Sequence, residues 1–147
     1  MYKHILVPTD GTALSMDAVR KAVEFARAIG AKITFFHAKP DYPVASYDTG
    51  GFMESISPEQ FAEMAEGQAQ QFLGGAEEVA RAAGVSCASK SETSDNPYQA
   101  IVDTATKSGC DLVFMASHGR RGIAAKLLGS ETQKVLTHSK IPVLVCR

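Results

Sequence analysis

The sequence predicts an α/β fold, a parallel sheet covered by helices on both faces. Three observations predict it. Short continuous apolar runs such as "HILVP" and "DLVFMA" read as strands buried on both sides. Between them lie segments whose apolar residues recur at helical spacing, with capping residues before them or glycine after them. The two kinds of segment alternate along the chain as βαβαβαβαβ, which calls for crossover connections and parallel pairing.

The first strand, His4 to Pro8, is followed by a polar turn from Asp10 to Ser15 that contains Gly11. A helix then places Ala18, Val19, Ala22, Phe25, Ala26 and Ile29 on one stripe and ends at Gly30. "KITFFHA", Lys32 to Ala38, is a second strand rich in β-branched and aromatic residues. Lys39 to Ser57 shows no period, holds two prolines and a glycine pair, and reads as a long surface connection of the kind used for lids or interactions. The next helix has a clear start. Ser57 caps it, Pro58 suits its first position and Gln60 completes a capping box. Its expected stripe is Phe61, Met64, Ala65, Phe72, Ala76, Val79 and Ala83. Gly67, Gly74 and Gly75 weaken it, and Gly84 stops it. "VSCASKSE" is a poorer, more polar strand suited to a sheet edge. Asn96-Pro97-Tyr98-Gln99 repeats the cap-Pro-x-Gln start ahead of Ile101, Val102 and Ala105. "DLVFMA", Asp111 to Ala116, is a further buried strand. Gly129-Ser130 opens a helix to about His138, and "IPVLVC" forms the last strand.

Bulk composition narrows the function. The chain of 147 residues is the length of one ordinary domain, residues 1–147, and is 45% hydrophobic and 21% charged. A formal net charge of −1 gives no support for nucleic-acid binding. No apolar run approaches a membrane span, and "MYKHILVPTD" does not read as a signal peptide. Cys87, Cys110 and Cys146 are widely spaced and without a CxxC, as expected of reduced thiols in a cytoplasmic protein. His4, His37, His118 and His138 approach neither one another nor a cysteine at metal-ligand spacing.

In open parallel sheets, ligands bind beyond the carboxyl ends of the strands. The connections to weigh are therefore Pro8-Thr9-Asp10, Ala38 to Pro40, and Ala116 to Ser130. The last contains Gly119, Gly122 and Gly129, where a missing Cβ lets phosphate oxygens approach backbone N–H groups. Arg120, Arg121 and Lys126 add positive charge, Ser130 adds a hydroxyl at a helix start, and Asp10 stands across the crevice. The same residues also read as a turn before a capped helix, because Ser130-Glu131-Thr132-Gln133 has the capping-box pattern. The stretch is not a P-loop, since no Gly-Lys-Ser/Thr ending is present. The first strand also lacks the G-x-G-x-x-G of a dinucleotide fold. "GRRG" has the G-x-x-G form of a KH loop, but the order of elements is wrong for that module.

Taken together, "HILVPTDGT", "ITFFHA", "DLVFMASHGRRG…LLGSETQKVL" and "IPVLVCR" resemble the universal stress protein family over essentially the whole chain. The family's nucleotide-binding branch carries G-x2-G-x9-G-S/T. The matching positions here are Ala116, Gly119, Gly129 and Ser130, with nine residues between the last two glycines and alanine in place of the first. The resemblance implies a three-layer α/β/α, Rossmann-like fold of the adenine-nucleotide alpha-hydrolase type, with strand order 3-2-1-4-5. It implies ATP as ligand, accompanied by Mg2+ or Mn2+, or AMP or another adenine nucleotide in its place. By position, Pro8, Thr9 and Asp10 would line one wall and the Ala38 backbone would hold the adenine. Met115 and Ala116 would lie under the ribose, and Ser117, His118, Gly119, Arg120, Arg121 and Gly122 would wrap the phosphates. Gly129, Ser130, Glu131 and Thr132 would close the site.

The expected function is an ATP-binding regulatory or stress-tolerance factor acting on a protein partner, with slow hydrolysis at most, since no nucleophile–base–orienter set can be named. The alternative is an interaction protein of the same fold in which the Ala116 methyl has closed the pocket and the Lys39 to Ser57 connection carries the function. A nucleotide-using transferase is weaker, for want of a substrate motif. The last strand, Ile141 to Cys146, is apolar on both faces and expected at a sheet edge, which invites pairing with another copy. The resemblance likewise implies a homodimer through it, with no nucleic acid or membrane partner.

Overall fold

The structure, a computed structural model, describes residues 1–43, 56–119 and 128–147. Its elements run β1 (His4–Pro8), α1 (Ala13–Ile29), β2 (Lys32–Lys39), α2 (Pro58–Ala82), β3 (Cys87–Thr93), α3 (Pro97–Lys107), β4 (Leu112–Ala116), α4 (Ser130–His138) and β5 (Val143–Cys146). The strands form one parallel sheet in the order β3-β2-β1-β4-β5, with β1 central. In register, Pro8 lies beside Phe36, Leu6 beside Val113, and Ala116 beside Cys146.

Alternation along the strands sorts side chains into two cores. Ile5, Val7, Ile33, Phe35 and Phe114 meet α1 and α2 on one face. Leu6, Phe36, Val113 and Met115 meet Ala100, Ile101 and Ala105 of α3 and Val135 of α4 on the other. Phe35 and Phe36 are both fully buried, on opposite faces, as expected of a strand that solvent reaches from neither side. The arrangement is thus helix–sheet–helix.

Several elements differ in detail from the sequence expectation. Ile29 is exposed, and Val23 takes a buried place on α1 instead. The buried face of α2 is Ala65, Ala69, Leu73, Ala76 and Ala80, while Met64 is 57% exposed. Small side chains let that helix approach β2 and α1 closely, so the buried stripe is set by close packing rather than by the largest apolar residues. The Ser57–Gln60 capping box forms as expected, and α2 continues through its glycines to Ala82, with Gly84 in the left-handed region just beyond. Asn96 makes no side-chain cap at α3. The last strand is shorter than expected and holds an edge, with Val143, Leu144 and Val145 half-buried.

At the amino ends of the strands, the Asp111 carboxylate accepts the backbone N–H groups of Lys3 (2.9 Å) and His4 (3.0 Å), tying β1 to the turn before β4. Burial pulls this carboxyl up, but those donors outweigh it and hold it below the usual range. His4 Nε2 meets Thr34 Oγ1 at 2.7 Å. Burial, with Lys32 nearby, pushes the His4 imidazole below its ordinary value. Beside it, burial raises the Cys110 thiol to about 11, which marks a packing residue rather than a nucleophile.

Candidate functional site

The turn after β1 is held by its own side chains. Thr9 is buried. Its N–H donates to the Phe36 carbonyl (2.8 Å), and His37 Nδ1–H donates to the Thr9 carbonyl (2.8 Å). Ser15 Oγ donates to Thr9 Oγ1 (2.8 Å) and accepts the Asp10 N–H (3.1 Å). Asp10 Oδ1 accepts from both the N–H (3.0 Å) and the hydroxyl (2.6 Å) of Thr12, and Thr12 in turn caps α1 by accepting the Ser15 N–H. Gly11 has φ +79°, and a Cβ there would overlap the Phe72 ring, so both backbone conformation and space require glycine.

The segment after β4 lies beside this turn. A Cβ built on Gly119 would stand 3.1 Å from Asp10 Oδ2, so glycine here lets the carboxylate lie close to the backbone without shifting. Ser117 is buried, its N–H donates to the Cys146 carbonyl (2.8 Å), and its Oγ shares a 3.0 Å hydrogen bond with His118 Nδ1. The start of α4 is fastened to this strand end at two points. The Gly129 N–H donates to the Ser117 carbonyl (2.7 Å), and Thr132 Oγ1 donates to the Ala116 carbonyl (3.0 Å). Gly129 has an ordinary φ of −69°, so its requirement is approach. A Cβ there would lie 3.2 Å from His118 Cα and from the Ser117 carbonyl oxygen, both backbone atoms.

That docking changes the reading of Ser130. Gly129 is the N-cap of α4, among the described residues no side chain caps the helix, and Ser130 is its first residue, exposed. The expected Ser130–Gln133 capping box therefore does not form. Gln133 instead bonds the carbonyls of Gly129, through its N–H, and Leu128, through Nε2. The N–H groups of Ser130, Glu131 and Thr132 belong to the first turn, where no intrahelical partner exists. They form the positive end of a helix dipole. An anion could accept from them without displacing any side chain of this helix.

Of the expected site residues, Pro8, Thr9, Asp10, Ser117, His118, Gly119, Gly129 and Ser130 gather at the carboxyl ends of β1 and β4. Ala38 lies two residues beyond the β1–β2 pairing and is half-buried. Met115 is buried against α3 and α4, whereas Ala116 is buried in the cluster under α1 and α2. Arg120, Arg121 and Gly122, with Lys126, lie outside the described residues. The Glu131 carboxylate is engaged elsewhere, accepting the Tyr98 N–H at the start of α3 (2.9 Å), while its backbone stays in the first turn of α4. Sequence reasoning missed Thr12, Ser15, His37 and Phe72 as the supports of this end of the sheet. Thr12, three residues before Ser15 at a helix start, carried a legible capping signal. The His37–Phe72 edge contact (5.3 Å between ring centroids) carried none. Among the described residues no group of three or more His, Cys, Asp or Glu gathers to hold a metal, and no helix is long and apolar enough to cross a membrane.

The chain is 29% identical over 147 residues to universal stress protein MJ0531 of Methanocaldococcus jannaschii, covering all of this chain and 83% of that one. It is 28% identical over 151 residues to universal stress protein YxiE of Bacillus subtilis, covering both in full. Among solved structures it resembles hypothetical protein MJ0577 (TM-score 0.79, 25% identity, 99% of this chain and 95% of that one). It also resembles a universal stress protein solved in complex with cAMP (TM-score 0.68, 26% identity, 99% and 97%). The family model described as "Universal stress protein family" matches residues 1–147, and the chain belongs to that family.

Proposed function

We propose that this protein binds ATP, or another adenine nucleotide such as AMP, in the crevice between the turn after β1 and the start of α4. It would thereby act as a nucleotide-responsive regulatory or stress-tolerance factor. The observation that carries the reading is the N-terminus of α4, which has no side-chain cap among the described residues and is docked by Gly129 and Thr132 beside Gly119 and Asp10. A structural neighbour that binds cAMP supports an adenine nucleotide as the ligand class. The Ala116 methyl favours this reading over a closed pocket, because it is packed in the apolar cluster under α1 and α2.

The chemistry is binding and release, with slow hydrolysis at most. Ser117 is buried and bonded to His118, and the described residues offer no base-and-orienter pair around an exposed nucleophile. Mg2+ or Mn2+ would arrive with the phosphates, with Asp10 as the nearby carboxylate. The second copy in a homodimer would pair along β5, an edge strand whose Val143, Leu144 and Val145 are only half-covered. Free Cys87, Cys110 and Cys146 suit the reducing cytoplasm.

Calorimetric titration of ATP with Mg2+ into nucleotide-free protein tests the ligand. Binding at one site per chain is expected, and no heat from folded, empty protein would refute the reading. Sedimentation at micromolar concentration tests the assembly, where a monomer would contradict pairing through β5.

A further inference from the structure

Glu131 sits in the first turn of α4, yet its side chain serves another helix. At the start of α3, Pro97 has no N–H, and the N–H groups of Gln99 and Ala100 both turn back to the Asn96 carbonyl (3.1 and 3.2 Å). Asn96 offers no side-chain cap, which leaves the Tyr98 N–H. Glu131 Oε2 accepts it at 2.9 Å, across 33 residues of sequence, and so places a negative charge at the positive end of α3. The clasp continues along one face of α4. Glu131 Oε1 lies 3.3 Å from Lys134 Nζ, which stands 5.5 Å from the Tyr98 ring centroid, and the His138 ring lies 5.1 Å from the same ring. Residues 131, 134 and 138 therefore face α3, while Thr132 and Val135 face the sheet.

A carboxylate in the first turn of a helix normally sits over that helix's own N–H groups, where it competes with any incoming anion. Here α3 holds it elsewhere. We infer that Glu131 is a positioning residue: by capping α3 through the Tyr98 N–H, it fixes the start of α4 and leaves that helix's own N–H groups open to a phosphate it does not touch. This rests on the reading of α4 as the phosphate-binding end.

The experiment compares Glu131→Ala with Glu131→Gln, which keeps an acceptor for the Tyr98 N–H, using ATP and phosphate-free adenosine as probes. Glu131→Ala is expected to weaken ATP binding by about fivefold, the scale of a lost cap, with adenosine binding unchanged. Glu131→Gln is expected to restore wild-type ATP binding. Tighter ATP binding in both variants would mean that the carboxylate only repels the ligand, and would overturn the inference. So would unchanged ATP binding in Glu131→Ala, or equal losses for ATP and adenosine. If wild-type protein binds neither probe, the proposed function fails, and amide NMR of the ligand-free proteins decides the inference alone. Ser130 and Thr132 resonances that move in Glu131→Ala and return in Glu131→Gln support it; resonances that stay in place overturn it.

Discussion

The turns after β1 and β4 stand side by side at one end of the sheet, and they treat their helices in opposite ways. After β1, Thr9, Asp10, Thr12 and Ser15 bond one another, and Thr12 caps α1. After β4, the polar contacts run backwards, from Gly129 and Thr132 onto Ser117 and Ala116, and among the described residues no side chain caps the first turn of α4. The other helix starts sharpen the contrast. Ser57 caps α2 with a full capping box, and Glu131 is the cap that α3 lacks on its own chain segment. Helix ends that serve stability are closed from within the protein. Among the described residues, the helix start that lacks such a cap, that of α4, lies where ligands bind in sheets of this kind.

The largest expected effect comes from breaking the closed side. Gly11→Ala must adopt a strained φ and press against the Phe72 ring, at a cost of about 2–4 kcal/mol in denaturant unfolding. The same change in a Phe72→Ala background should cost measurably less, since one of the two penalties is then removed. On the open side, Thr132→Val leaves the Ala116 carbonyl without its donor. It should cost about 1–3 kcal/mol and weaken ATP binding as well, because the start of α4 loses a fastening. Thr132→Ser should recover both. Thr12→Ala converts α1 into an uncapped helix and should cost about 1 kcal/mol, read as a lower Tm.

The smallest effect is a pH dependence from the opposite end of the sheet. Because the folded His4 imidazole titrates below its ordinary 6.5, the unfolded chain takes up that proton first as pH falls. Stability therefore declines as pH drops from about 7 through the His4 range, and His4→Asn should flatten that slope. Asp111 acts later in the same direction. Its folded value is depressed below 3.8, so its contribution is complete above that pH and is lost as pH falls further. A flat wild-type profile from pH 7 to pH 5 would contradict the His4 assignment.

Much of the fold was legible because apolar runs and helix punctuation are local. "HILVP", "DLVFMA" and the Ser57–Gln60 box each declare themselves within a few residues, and the structure holds all three, with the second of these strands starting at Leu112 rather than Asp111. The α2 stripe was misjudged because alanines decide that contact, and a hydrophobicity pattern gives them little weight. At the candidate site, Gly119, Gly129 and Ser130 stood out by spacing as openings for phosphate, whereas the close approach that Gly129 makes here is to the protein's own Ser117 and His118 backbone. The state of the α4 terminus was not legible. Ser130-Glu131-Thr132-Gln133 has the residues of a capping box, but the docking of Gly129 on Ser117 shifts the helix start by one residue. Glu131 is then taken by a donor far away in sequence, and no local pattern encodes that choice.

In the proposed function the start of α4, rather than the capped start of α1, receives the anionic part of the ligand. Titration of labelled protein with ATP and Mg2+, followed by amide NMR, tests it directly. The largest shifts are expected on Ser130, Glu131, Thr132 and Gly119, with the first-turn amides of α1 moving little. Shifts centred on α1, or no shifts at saturating nucleotide, would contradict it.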